Sequence, residues 1–189
     1  MCGIVGYAGE RPAIPVLLRA LKDLEYRGYD SAGIAVLDPA NTGLHITKRQ
    51  GKISNLESAL NGSAGAATTG IGHTRWATHG KPSDQNAHPH LSCNGEVVVI
   101  HNGIVENYAG LRAELIAAGH AFRSETDTET IAHLMEDRVK AGESLLEALR
   151  QTALRLQGSQ AIVAMSDREP GAMVAARVGN AGGVVVGYG

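Results

Sequence analysis

The chain begins MCGIVGYAG, so a cysteine stands directly after Met1. Removal of Met1 leaves Cys2 with a free α-amine, whose pKa of about 7.7–8.0 is close enough to neutral to accept the thiol proton. An N-terminal cysteine of this kind carries its own general base and needs no histidine. Gly3 would let backbone and substrate approach closely. The alternative is that Cys2 simply packs, because free cysteine is among the most buried residue types.

An Arg-Trp pair lies between two histidines in the segment HTRWATHG (73–80). The planar guanidinium of Arg75 suits a bidentate hold on a small carboxylate, and a surface ion pair is the alternative. The histidines of this region could also be metal ligands; they are His73, His79, His88, His90 and His101. Their spacings match no HxxxH or CxxC pattern and no acidic residue is interleaved, so the sequence does not favour a zinc site.

The segment HNGIVEN (101–107) follows the apolar run VVVI. Its Asn-Gly pair is typical of a turn. It is equally consistent with an oxyanion hole at the end of a strand, in which the Asn102 side-chain amide and the Gly103 backbone N–H donate to developing negative charge.

Further along, the segment SETDTE (124–129) precedes a helical pattern. Asp127 or Thr128 could cap that helix. The Asp127 carboxylate could equally receive a substrate ammonium group. Both roles hold if Thr128 caps the helix and Asp127 projects from it.

Composition narrows the class of protein. The 189 residues suggest one domain, and 43% are hydrophobic with only 4% aromatic, which predicts a core of Ala, Val, Leu and Ile. A net charge of −2 argues against a nucleic-acid interface. The sequence contains no apolar run of membrane-spanning length and no recognisable secretory signal, so we expect a cytoplasmic protein. Cys2 and Cys93 are far apart and are expected to be reduced thiols.

Apolar periodicity predicts how these residues are positioned. Strands are expected at 2–8, 31–38, 44–50, 70–75, 96–102, 159–167, 172–179 and 182–189. Helices are expected at 12–26, 53–60, 107–118, 127–140 and 144–157. The segment 77–95 is expected to be a loop. Strands, then helices, then strands again indicate an α+β fold rather than alternating βαβ units.

Six motifs in this order resemble a known family. They are CGIVGY (2–7), LEYRGYDSAGIAV (24–36), GHTRWATHG (72–80), NAHPH (86–90), VVVIHNGIVEN (97–107) and SETDTE (124–129). Together they resemble the glutaminase domain of the glutamine–fructose-6-phosphate aminotransferase family, the glucosamine-6-phosphate synthases. These are class II glutamine amidotransferases with the N-terminal nucleophile hydrolase fold. The resemblance implies a four-layer αββα sandwich.

The resemblance also implies catalytic roles. Cys2 corresponds to the family nucleophile, which forms a γ-glutamyl thioester and releases glutamate and ammonia from L-glutamine. Asn102 and Gly103 match the oxyanion-hole pair. Arg27 and Gly28 match a loop that braces the nucleophile.

Substrate-binding roles follow in the same way. Arg75 matches the arginine that binds the glutamine α-carboxylate, and Asp127 matches the aspartate that binds its α-amino group. Trp76, Thr78 and His79 match residues that line the glutamine pocket. The resemblance implies no metal ligand and no cofactor.

Sister families share the Cys-Gly-Ile start. Amidophosphoribosyltransferases are typified by RGQ-x-[SA]-AG and H-x-RYST, where this chain has RGYDSAG (27–33) and HTRWAT (73–78). The aminosugar branch therefore fits best. Two functions of different classes stay open, a glutamine-binding module without turnover and a metal-dependent hydrolase that uses the histidines.

The family's glutaminase domain continues past the position of Gly189, and a sugar isomerase domain follows it. Residues 1–189 are therefore expected to form a glutamine amidotransferase type-2 domain that is incomplete at its C-terminus and lacks the isomerase domain. L-Glutamine is the expected ligand, and fructose 6-phosphate is a partner only through the isomerase domain. Neither nucleic acid nor a membrane is expected as a partner, and a homodimer is left open for the full-length enzyme.

Overall fold

The first 75 residues form an antiparallel sheet with two helices. The computed structural model describes residues 2–37, 43–60, 65–77 and 80–187. The elements of this part are β1 (Gly3–Ala8), α1 (Ala13–Asp23), β2 (Ser31–Leu37), β3 (Leu44–Gln50), α2 (Ile53–Leu60) and β4 (Thr69–Arg75). The strand order is β1-β4-β2-β3, so β4 lies between β1 and β2.

The rest of the chain builds a second antiparallel sheet with three helices. Its elements are β5 (His90–Leu91), β6 (Val97–Gly103), α3 (Tyr108–Ala117), α4 (Thr128–Lys140), α5 (Leu145–Arg155), β7 (Gln160–Ser166) and β8 (Met173–Val178). The strand order is β5-β6-β7-β8. Within the described ranges, no helix has the length and apolar character needed to cross a membrane.

The two sheets pack face to face, and the helices cover their outer faces. In β6, Val97 and Val99 pack in the cluster with α3, α4 and α5, while Val98 and Ile100 pack in the cluster between the sheets. Successive side chains of a strand point to opposite faces, so a strand buried on both sides reads as a continuous apolar run. This explains VVVI, and the predicted four-layer αββα sandwich is confirmed.

Three predicted elements differ from the structure. The helix predicted over 12–26 ends at Asp23, and a 3-10 turn (Glu25–Arg27) follows it. The predicted loop 77–95 contains the short strand β5. The strand predicted over 182–189 is wrong for 182–187, which have no strand partner among the described residues and leave Val185 94% exposed. A strand needs a neighbour for its backbone hydrogen bonds, and apolar residues alone do not supply one. Residues 188–189 lie outside the described ranges.

Candidate active site

A cavity of about 640 Å³ opens where the ends of the two sheets meet. Its size is typical of a small-molecule site. The predicted site residues that line it are Cys2, Arg27, Arg75, Trp76, Asn102, Gly103 and Asp127. Two more predicted residues, Thr78 and His79, lie outside the described ranges. The cavity therefore brings together most of what the sequence analysis singled out.

The Cys2 thiol lies against the backbone of Trp76. The Trp76 N–H donates to Sγ over 3.1 Å, and Sγ lies 3.5 Å from the Trp76 carbonyl oxygen. Burial raises the pKa of the Cys2 thiol above its ordinary value, although the Trp76 N–H and the nearby Arg75 charge act to lower it. The thiol is therefore protonated at neutral pH and needs a base before it can act as a nucleophile.

Gly28 packs directly behind this contact. A Cβ atom at Gly28 would lie 2.7 Å from the Arg75 carbonyl carbon and 3.0 Å from the Trp76 nitrogen. Because its φ of −173° is extended backbone, it is this close approach that requires glycine. Arg27, which ends the 3-10 turn, lines the cavity beside it. The bracing role of these two residues stays a prediction.

His73 orients the Asn102 amide. His73 Nε2 lies 2.9 Å from Asn102 Oδ1 and 3.2 Å from the His101 carbonyl oxygen, so this nitrogen carries the proton and donates. Burial lowers the pKa of His73 to about 3, which keeps the ring neutral. With Oδ1 held by His73, Asn102 Nδ2 points to Cys2, whose carbonyl oxygen accepts from it over 3.2 Å. The second Nδ2 hydrogen remains as a donor for a ligand.

Gly103 ends β6 at the cavity in a conformation that requires glycine. Its φ is +139°, and a Cβ atom would lie 2.2 Å from the Ser159 carbonyl oxygen. Any other side chain would be strained in the backbone and would collide with the chain just before β7. The Asn-Gly pair is therefore not a hairpin turn, because β6 pairs with β7 through both residues.

Arg75 and Asp127 place opposite charges on the cavity wall. Arg75 is only 3% exposed, and its Nη2 donates to the Gly80 carbonyl oxygen over 3.1 Å. Burial lowers the pKa of Arg75, while the neighbouring Cys2, Asp30 and Asp127 act to raise it. An amino acid carries one charge of each sign on its α-carbon. A cation and an anion on the wall of one cavity suit such a ligand.

The structure distinguishes the two residues that the sequence offered as helix caps. Asp127, not Thr128, occupies the N-cap position of α4, and its side chain makes no capping hydrogen bond. Asp127 Oδ2 instead accepts from the Val105 N–H over 2.8 Å. Thr128 is the first helical residue, and its hydroxyl contacts the rings of His88 and His101, each at 2.9 Å.

The buried histidines near the cavity form a hydrogen-bonded network. His88 and His101 share the Thr128 hydroxyl, and the second ring nitrogen of His101 lies 2.5 Å from Gln160 Oε1. The rings of His73 and His88 stack with centroids 4.1 Å apart. Burial lowers the pKa of all three histidines. Four of their six ring nitrogens contact protein oxygens, while His73 Nδ1 and His88 Nδ1 have no hydrogen-bond partner. Among the described residues, these three histidines do not come together with a cysteine or carboxylate ligand in a group that could hold a metal ion.

Comparison with known proteins identifies the family of the chain. The family model described as "Glutamine amidotransferase domain" matches residues 73–180, which is more than half of the chain. The chain belongs to the glutamine amidotransferase domain family. The matched range includes Arg75, Asn102, Gly103 and Asp127.

Two curated relatives of this glutamine amidotransferase domain carry the same name. It is 50% identical to glutamine–fructose-6-phosphate aminotransferase [isomerizing] of Chlorobaculum tepidum, over 100% of this chain and 31% of the relative. It is 54% identical to the protein of the same name from Streptomyces coelicolor, over 94% of this chain and 29% of the relative. The chain thus spans about 30% of the length of these relatives.

Solved structures agree on the fold. Glutamine phosphoribosylpyrophosphate amidotransferase from B. subtilis, complexed with ADP and GMP, is 29% identical with a TM-score of 0.67, over 88% of this chain and 35% of that protein. A structure described as the allosteric regulatory enzyme of purine biosynthesis is 28% identical with a TM-score of 0.74, over 88% of this chain and 36% of that protein. The sequence resemblance to class II glutamine amidotransferases is confirmed.

Asp30, which no sequence motif assigned to the site, holds the backbone segment that contacts the Cys2 thiol. Asp30 Oδ2 accepts from the Ala77 N–H over 2.7 Å, and its own N–H donates to the Arg75 carbonyl oxygen over 3.1 Å. Asp30 thus holds both ends of the Arg75–Ala77 segment, which carries the partner of the Cys2 thiol. The signal was present in the motif RGYDSAG, where only Arg27 and Gly28 were assigned a role.

Glu129 secures the loop before α4, and its loss is predicted to destabilise the amidotransferase domain. Its oxygens accept from the Arg123 N–H over 2.7 Å and from the Ser124 N–H and hydroxyl over 2.6 Å each. Glu129→Gln would turn an amide NH₂ towards one of these donors, and we expect it to lower the free energy of unfolding by about 1–3 kcal/mol at pH 7. Chemical denaturation measures the loss. Glu57→Gln, which removes the surface ion pair with Lys22, should cost about 0–1 kcal/mol.

The pH dependence of this loss has a definite sign. Burial raises the pKa of Glu129, but the neighbouring His133 ring and hydrogen bonds from Ser124 and two backbone N–H groups outweigh it and bring the pKa to about 2. In the unfolded chain a glutamate titrates near 4.3. The stabilisation is therefore fully present above about pH 5 and is lost as the pH falls towards 2. A difference between parent and Glu129→Gln that stays constant from pH 7 to pH 3 would contradict this account.

Proposed function

We propose that the chain hydrolyses the side-chain amide of L-glutamine to glutamate and ammonia. The observation that supports this most directly is that the Cys2 thiol, the Asn102 amide donor and the Arg75–Asp127 charge pair meet in one cavity. A nucleophile, an oxyanion donor and a charged anchor for an amino acid are the parts that acyl transfer from glutamine requires.

In this proposal glutamine binds by its charged end. Arg75 holds the α-carboxylate, and Asp127 holds the α-ammonium group. The Trp76 side chain, which is 48% exposed and makes an edge contact with Tyr29, lines the cavity. This leaves the side-chain carboxamide to approach Cys2.

The reaction then proceeds in two steps. After loss of Met1, the Cys2 thiol gives its proton to its own α-amine and Sγ attacks the amide carbon. The oxyanion accepts from Asn102 Nδ2 and the Gly103 N–H, and each such donor typically contributes about 2.7–4 kcal/mol. The C–N bond breaks, the ammonium proton goes to the departing nitrogen, and ammonia leaves a γ-glutamyl thioester. Water attacks the thioester, releases glutamate and restores the thiol.

We further propose that residues 1–189 are the ammonia-supplying domain of an enzyme that makes glucosamine 6-phosphate from fructose 6-phosphate. Support comes from identities of 50% and 54% to relatives named glutamine–fructose-6-phosphate aminotransferase, against 28% and 29% to the structures described above. Fructose 6-phosphate would bind outside these residues. The proposed thiol chemistry requires a reduced Cys2, and both cysteines are free, which fits a cytoplasmic setting.

The test is to incubate the chain, processed to begin at Cys2, with L-glutamine. We expect glutamate and ammonia in equal amounts, and a γ-glutamyl adduct on the Cys2 peptide when the reaction is quenched with acid and examined by mass spectrometry. Saturable glutamine binding with no glutamate release would instead identify a binding module, and the hydrolase proposal would then be wrong.

Replacing Arg75 with lysine should impair the enzyme although the charge is kept. A lysine ammonium is a point charge and does not reproduce the bidentate fork. A hydrogen bond to a charged group contributes about 1.5–3 kcal/mol, so we expect kcat/KM for glutamine to fall about 10–100-fold, mainly through KM. Steady-state kinetics measure this change.

The control is Arg49→Lys on the exposed side of β3, which should leave kcat/KM unchanged. The Cys2 thiol of Arg75→Lys should also react with iodoacetamide at the parent rate, because the positive charge near Sγ is retained. An unchanged kcat/KM in Arg75→Lys would remove this arginine from the glutamine site.

A further inference from the structure

Four side chains with metal-binding atoms meet away from the cavity, against the helical layer of the second sheet. Cys93 lies in the turn between β5 and β6, and His120 lies in the connection between α3 and α4. His133 and Glu136 are three residues apart on α4, so they share one face of the helix. The two histidines and the glutamate are buried, and Cys93 is partly exposed. None of the four lines the glutamine cavity.

Their donor atoms lie close enough together to share a single metal ion. Cys93 Sγ lies 3.1 Å from His120 Nδ1 and 3.1 Å from Glu136 Oε2. Glu136 Oε2 lies 3.7 Å from His120 Nδ1 and 3.5 Å from His133 Nδ1. One atom from each of the four residues lies within 4.8 Å of all the others. Zinc bonds of about 2.3 Å to sulfur and 2.0–2.1 Å to nitrogen place tetrahedral ligands about 3.3–3.6 Å apart.

A carboxylate also lies near the second ring nitrogen of each histidine. His120 presents Nδ1 to the cluster, and its Nε2 lies 3.0 Å from Asp137 Oδ1. His133 Nε2 is buried without a hydrogen-bond partner at normal distance, and Glu129 Oε1 lies 3.5 Å away. Metal-bound histidines almost always donate their second ring N–H to a carboxylate or carbonyl, which fixes the ring and its tautomer. His120 is arranged in that way, and the Glu129 carboxylate lies near His133 Nε2 without a hydrogen bond to it.

The cluster offers ligand types that suit a divalent cation. Lys140 Nζ donates to Glu136 Oε1, which leaves Oε2 facing Cys93 and the two histidines. A bound divalent cation stabilises a thiolate and a carboxylate as ligands, while histidines bind as neutral imidazoles. One thiolate and one carboxylate balance a charge of +2.

We propose that Cys93, His120, His133 and Glu136 bind a structural Zn²⁺ ion. The mixed sulfur, nitrogen and oxygen ligands suit zinc, and four protein ligands leave no open position for catalysis. The ion would join the β5–β6 turn, the α3–α4 connection and α4. Because α4 begins at the residue after Asp127, this junction would hold the helix that positions the ammonium-binding carboxylate.

The direct test is a Co²⁺ titration of the Cys2→Ala protein after removal of metals with a chelator. This background leaves Cys93 as the single thiol, so metal binding at the active-site cysteine does not contribute. We expect one equivalent of Co²⁺ to produce a thiolate-to-Co²⁺ charge-transfer band and the visible bands of a tetrahedral site, and Zn²⁺ to displace both. Zn²⁺ at 100-fold excess over its Kd should raise the Tm by about 5–10 °C.

Single replacements then test the ligands in the same background. Cys93→Ser should abolish the charge-transfer band, and His120→Ala should weaken binding and remove the Zn²⁺-dependent rise in Tm. Asp137→Asn removes no ligand and should still weaken Zn²⁺ affinity by about 10–100-fold, which a merely structural role of Asp137 would not do. His45→Ala, an exposed histidine on β3, is the matched control and should bind one equivalent as the parent does.

Two results would overturn the proposal. One is the absence of both the charge-transfer band and a Zn²⁺-dependent change in Tm in the parent protein. The other is equally tight binding in the parent, Cys93→Ser and His120→Ala proteins, which would place the metal elsewhere. Because the readouts are spectra and Tm in a protein without its nucleophile, they do not depend on the proposed hydrolysis of glutamine.

Discussion

Replacing Cys2 with alanine is expected to lower kcat for glutamine hydrolysis by about 10⁶-fold, the loss typical when the nucleophile of a covalent hydrolase is removed. No other described thiol faces the cavity, since Cys93 lies outside it. Glutamine binding should remain close to that of the parent, because the α-carboxylate and α-ammonium groups are held by Arg75 and Asp127. Glutamate release and isothermal titration with glutamine measure the two effects separately.

The binding measurement is also the control for folding. A Cys2→Ala protein that binds glutamine has an intact pocket, so its lost turnover reports on the thiol alone. Cys2→Ser keeps a smaller nucleophile in place, and its hydroxyl should be far less reactive than a thiolate. Glutamate release by Cys2→Ala at near the parent rate would show that Cys2 is not the nucleophile. The hydrolysis would then have to proceed without a covalent thioester.

Local sequence patterns predicted most of the fold because each reports a single physical property. Leu17 and Leu21 recur at helical spacing and are buried in α1. The run VVVI is a strand buried on both faces, as β6 is. The prediction of a strand at 182–187 was wrong, although it rested on the same apolar character as the correct predictions. Apolar character predicts burial, but pairing needs a neighbouring strand, which periodicity does not report.

The candidate site was predicted less completely, because much of it is built from long-range contacts. The resemblance indicated Cys2, Asn102 and Arg75, but it did not indicate that His73 fixes the Asn102 amide from 29 positions away. Asp30 accepts a hydrogen bond from the Ala77 N–H, and the residues next to Asp30 in the sequence do not indicate that partner. The proposed metal ligands are distributed from Cys93 to Glu136 with no standard spacing. The HxxE pair on α4 was the single local signal.

The N-terminal amine is predicted to be the general base, and one extra residue that cannot be removed ahead of Cys2 should therefore lower kcat/KM by about 10²–10⁴-fold or more. The extension converts the amine into a peptide nitrogen with no basicity, while the thiol keeps its place. A base is required because burial raises the pKa of the Cys2 thiol. Two nearby histidines are poor substitutes: burial lowers the pKa of His73 to about 3, and both ring nitrogens of His101 face Thr128 and Gln160.

The matched control carries the same extension behind a protease site, so that cleavage exposes Cys2 and should restore the rate of the processed protein. In the processed protein, kcat/KM should fall as the pH drops below the amine pKa of about 7.7–8.0, because the protonated amine accepts no proton. The thiol and amine titrate as a coupled pair, so this limb belongs to both groups. Equal rates for the extended and processed proteins would exclude the amine as the base. A histidine would then have to replace it, and His79, beside the Arg75–Ala77 segment in sequence, would be the first to test.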